Sequence, residues 1–69
     1  MKKQNKSAIE YVKEMNDRIY KITTSEEIEE TGEVIDELAC ANLISASQYM
    51  HLECILGDKV FELINKGLI

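Results

Sequence analysis

The sequence predicts an all-α fold: a three-helix bundle, or a helical hairpin plus a third helix, completed by dimerisation. Three observations lead there. Proline is absent from all 69 residues. Apolar residues recur at steps of three and four rather than two. Thr or Ser followed three residues on by Glu or Gln punctuates that pattern, the spacing of a capping box. The chain reads as one domain, 1–69, with helices over about 7–22, 25–42 and 46–66. At this size a lone hydrophobic core gives little net stability without a metal, disulfides or a second copy, so a homodimer is expected.

Helix one follows from Ala8, Val12, Met15, Ile19 and Ile22, a single stripe at steps of four and three. Glu14 with Arg18 and Asp17 with Lys21 stand on its outer faces in the favourable acid-first i,i+4 order. The preceding Met1-Lys2-Lys3-Gln4-Asn5-Lys6 leads into this amphipathic segment rather than into a secretory apolar stretch, and no run of about 18 apolar residues exists to span a bilayer. A cytoplasmic location, with no membrane partner, is the resulting expectation.

Thr24 and Glu27 then open helix two, and Glu26 and Glu27 lie where the helix dipole favours anions. Its apolar side is Ile28, Ile35, Leu38 and Ala39, with Val34 and Leu43 beside them. Gly32 is its weak point, costing up to about 1 kcal/mol against Ala, and suggests a kink or a close helix contact. Ser45 and Gln48 open helix three, with Ile44 and Tyr49 spaced as a hydrophobic staple. Met50, Cys54, Gly57, Phe61 and Ile64 continue it as the expected buried stripe, and Gly67 marks a stop. Leu68 and Ile69 form an apolar tail for the core or for a second chain.

Charge is distributed unevenly. Residues 1–22 carry six cations and three carboxylates, and residues 23–42 carry seven carboxylates and no cation. Glu26 and Glu30, Glu29 and Glu33, and Glu33 and Glu37 stack like charges at i,i+4, costing a few tenths of a kcal/mol per pair. Cations must come from helix one, a second copy or a partner. With a net charge of −5 the chain repels phosphate backbones, which makes nucleic acid an unlikely partner and favours basic ones.

Three constellations are candidates for chemistry. Leu38 to Glu53 resembles the repressor-type helix-turn-helix: Ala39 matches its small residue, Ile44 and Ser45 its turn and cap, and Tyr49 and Leu52 its buried side. The resemblance implies base contacts from Ser47, Gln48 and His51 and a DNA-binding transcriptional regulator as the alternative function. Leu43 stands where that motif has a turn Gly, and no Lys or Arg lies between Lys21 and Lys59 to hold phosphates. Second, Glu37 and Cys40, with His51 and Cys54, are two i,i+3 pairs that an antiparallel hairpin can bring together as zinc ligands, although their spacing is no recognised zinc signature. Packed, reduced thiols are the simpler expectation, with no metal and no cofactor. Third, Cys54 and His51 are the sole thiol–imidazole pair, without a phosphate loop, a nucleophile elbow or a sequestered carboxylate, so no enzyme is expected. What is left is the acidic face, Glu26, Glu29, Glu30 and Glu33, as the surface that binds a protein with a basic patch. Apolar residues near the C-terminus would assist it. The expected role is that of a regulator or inhibitor acting by contact.

Overall fold

A computed structural model describes residues 6–69; the basic lead-in at 1–5 lies outside the described residues. Three helices pack against one another, α1 (Ala8–Tyr20), α2 (Ser25–Cys40) and α3 (Ala46–Asn65), with no strand among the described residues. No helix there is long and apolar enough to cross a membrane.

Every helix starts with a capping box. The Thr24 and Ser45 hydroxyls accept from the Glu27 and Gln48 amides at 3.2 and 3.1 Å, as the spacing predicts. A third, unforeseen box opens α1, where the Ser7 amide donates to Glu10 Oε1 and the Glu10 amide donates back to Ser7 Oγ. Each satisfies backbone donors that a helix start otherwise leaves unpaired. Two helices end in Schellman motifs. Asn42, at φ 61°, and Gly67, at φ 75°, take the left-handed C′ position. Leu43 and Leu68 donate back to the Leu38 and Leu63 carbonyls, both at 2.9 Å. Helix two therefore stops at Cys40 rather than running to Asn42, and Leu43 is in the turn, exposed.

The core is Met15, Ile19, Ile22, Ile35, Leu38, Ile44, Leu52, Leu56 and Leu63, with Thr31 the one buried polar residue among the described residues. Helix one buries the lower part of its expected stripe, while Val12 and Tyr11 pack at its margin. Helix one closes at Tyr20, yet Ile22 still turns into the core. Gly32 produces no break. A Cβ built there would meet Leu56 Cδ2 at 3.7 Å, an ordinary contact, so α2 approaches α3 without needing the glycine.

Helix three differs from expectation. Met50, Cys54, Gly57, Phe61 and Ile64 are exposed, and Leu52, Leu56 and Leu63 point inward with Tyr49 and Ile55 at their edge. Both sets have helical spacing, so period alone does not choose between them; α3 turns the line of Leu52, Leu56 and Leu63 to α1 and α2. Cys54 is consequently an exposed free thiol, and Cys40, at the end of α2, is exposed as well; neither is packed as expected.

Lys59 ties α3 to the end of α1. Its ammonium donates to the Tyr20 carbonyl at 2.9 Å and lies 5.4 Å from the Tyr20 ring centre. A cation there satisfies an orphan carbonyl and meets the negative end of the α1 dipole.

Candidate functional site

Helix two places its carboxylates by period. At 3.6 residues per turn, Glu26, Glu30, Glu33 and Glu37 step by four, three and four along one line about 16 Å long, and Glu29 stands beside it. The line is opposite the buried Thr31, Ile35 and Leu38, so all five side chains are exposed.

The two other carboxylates of the block are engaged. Glu27 Oε1 accepts from the Thr23 and Thr24 amides at 2.8 and 3.3 Å, and these bonds hold its carboxyl below the ordinary carboxylate range. Asp36 Oδ1 accepts from the Tyr49 hydroxyl at 3.0 Å, joining α2 to α3. That bond, with the nearby charge of Glu53, raises the Tyr49 phenol above its usual value. Glu26, Glu29, Glu30, Glu33 and Glu37 have neither a hydrogen-bonding nor an ion-pairing partner among the described residues. The ion pairs there are Lys6–Glu14, Lys21–Asp17, Lys59–Glu62 and Lys66–Glu62. Lys21–Asp17 forms as the sequence predicts. Glu14 takes Lys6 at 2.6 Å instead of Arg18, because Lys6 also rests over the Tyr11 ring, 5.6 Å from its centre, and reaches back across the first two turns.

The end of α1 comes near the acidic face. Arg18 and Lys21 line a cleft of about 170 Å³ with Glu27, Glu30 and the buried Thr31. No ion pair crosses it among the described residues. A second cleft, of about 260 Å³, lies between α1 and α3 along Asn16, Tyr20, Ile55, Asp58 and Lys59.

The zinc candidates do not converge. No three His, Cys, Asp or Glu side chains form a metal-binding group among the described residues, and Glu37, Cys40, His51 and Cys54 are all exposed. The helix-turn-helix residues have a mixed outcome. Leu38, Ile44 and Leu52 are buried and Ala39 and Tyr49 half-buried, as any capped hairpin requires. Ser47 and His51 are exposed, while Gln48 Oε1 is occupied by the Ser45 amide at 2.8 Å. The left-handed residue of the turn is Asn42, one position before Leu43.

The sequence reading missed the outer face of α3. Met50, Phe61 and Ile64 are 65, 66 and 52% exposed, an apolar line on a helix that already has an apolar core face. Two interleaved stripes at helical spacing were its signal. Comparison with protein-family models, curated proteins and solved structures finds no match for this chain.

Proposed function

We propose that this protein is a small, self-associating interaction module that regulates or inhibits another protein by presenting the carboxylate line of α2 to a basic surface. The observation that carries the reading is that Glu26, Glu29, Glu30 and Glu33 have no hydrogen-bonding or ion-pairing partner among the described residues. Arg18 and its neighbour Lys21 line the adjoining cleft, yet among the described residues neither forms an ion pair with them. Like charges at i,i+4 cost stability when unpaired, so a helix that carries them has a surplus that a cationic partner relieves on contact.

Capture from native extract by the wild-type chain and by a variant with Glu26, Glu29, Glu30 and Glu33 changed to Lys tests the proposal, each run with and without nuclease. The expected result is a protein captured by the wild type, in either condition, and lost in the variant, whose thermal stability stays the same or rises. Unchanged capture with lowered stability would make the face an internal pairing surface. Capture abolished by nuclease would favour the DNA-binding alternative through Ser47, Gln48 and His51.

A further inference from the structure

We infer that the outer face of α3 is where a second copy of this chain docks, antiparallel, with the two-fold axis through Gly57. This rests on the self-association proposed above and names its surface. At 100° per residue, Met50, Cys54, Gly57, Phe61 and Ile64 lie roughly 140° round α3 from Leu52, Leu56 and Leu63. The helix is thus apolar on two nearly opposed sides, the pattern of a helix covered on both, and among the described residues α1 and α2 cover one.

The occupant follows from three features. The line is self-complementary in reverse: Met50 is seven residues before Gly57 and Ile64 seven after, with Cys54 three before and Phe61 four after. An antiparallel copy therefore sets Met50 against Ile64 of the second copy and Cys54 against its Phe61, small facing large, as an isologous two-fold contact requires. Gly57 meets itself at the centre. A Cβ there would have nothing within 4 Å, so the space above it is open and two backbones can close over it. The area is that of a weak contact: Met50, Phe61 and Ile64 are 65, 66 and 52% exposed, roughly 100 Å² apiece, so two copies would cover on the order of 600 Å² through this line, below a standard interface. Finally, no position of the line is charged, whereas α2 carries seven carboxylates; two chains of net charge −5 meet with least repulsion here. Two carboxylates border the line and oppose pairing: Asp58, which would face Asp58 of the second copy beside the axis, and Glu53, one turn before Gly57.

The test is sedimentation of the full chain up to about 100 µM, well above the micromolar range of a small interface. Wild type should dimerise. Phe61→Glu and, separately, Ile64→Lys should weaken association at least tenfold with helicity unchanged, because both side chains are exposed. Asp58→Asn should tighten it. Orientation is read by mild oxidation. Gly57→Cys in a Cys40→Ala, Cys54→Ala background should form a disulfide-linked dimer, and Cys54 alone, in Cys40→Ala, should not, since its sulfur would sit about six residues out of register with its counterpart. A monomer at all concentrations overturns both this inference and the self-association reading. A dimer unaffected by both charged variants overturns this inference and leaves self-association standing. Efficient crosslinking through Cys54 but not through Gly57→Cys overturns the antiparallel arrangement.

Discussion

Thr31→Val should stabilise the protein. Thr31 has no exposed surface, and its hydroxyl Oγ1 has no hydrogen-bond partner. A helical Thr commonly back-bonds to the carbonyl four residues before it, here that of Glu27, and this one does not. A buried hydroxyl without a partner costs about 1–3 kcal/mol. Valine keeps the shape and the β-branch, so packing and helix propensity barely change, and the net gain should be about 1–2 kcal/mol. For a chain this short, each kcal/mol moves Tm by roughly 4–8 °C. Thermal and urea unfolding followed by circular dichroism measure it, at one protomer concentration because association shifts apparent stability. Thr31→Ser is the control: it keeps the hydroxyl and loses a buried methyl, so it should destabilise by about 1 kcal/mol. A Val variant less stable than wild type would refute the reasoning and show that the hydroxyl is bonded.

Cys40→Ala and Cys54→Ala should each change unfolding free energy by less than about 0.5 kcal/mol in urea, because both thiols are exposed and neither fills the core. Asn42→Gly should raise stability by up to about 1 kcal/mol, since Asn42 holds φ 61°, where glycine has no steric penalty; a loss would mean the Asn side chain supports the turn. The Glu27 carboxyl is held below its ordinary value of 4.5, so its contribution is full above that pH and is lost as pH falls through its lower folded value. Unfolding curves should therefore converge for wild type and Glu27→Gln in acid and separate near neutrality.

Elements governed by local chemistry were legible in the sequence. Thr24–Glu27 and Ser45–Gln48 fixed two helix starts, because a capping box needs only residues three apart. The stop at Gly67 was read, whereas the stop at Asn42 was missed because Asn takes the left-handed conformation less often than Gly. The choice between two apolar faces on α3 was not legible by period alone. Both stripes satisfy the 3.6-residue repeat, and Met50, Phe61 and Ile64 offer about as much apolar area as Leu52, Leu56 and Leu63, so the choice is made by tertiary packing against α1 and α2. Assigning that line to the core also misplaced Cys54, which inherited its burial from the stripe. For the acidic face, position was readable from period. Which carboxylates were already engaged was not, since Tyr49 reaches Asp36 through tertiary packing.

The two proposed surfaces lie on different helices and differ in kind, one charged and one apolar, and this gives them opposite responses to salt. Docking of a basic partner on Glu26, Glu29, Glu30 and Glu33 is an attraction between exposed charges, and it weakens as the screening length falls from about 10 Å at 0.1 M to about 3 Å at 1 M. Pairing of two α3 faces buries apolar area between chains that are each −5, so the same salt screens a repulsion and leaves the apolar gain in place. Raising sodium chloride from about 0.05 to 0.5 M should therefore tighten the dimer while releasing the partner. Sedimentation of the free chain and retention of the captured protein, measured across one salt series, check both arms. If the two weaken together, the dimer is held by charge, and α2 rather than α3 joins the copies.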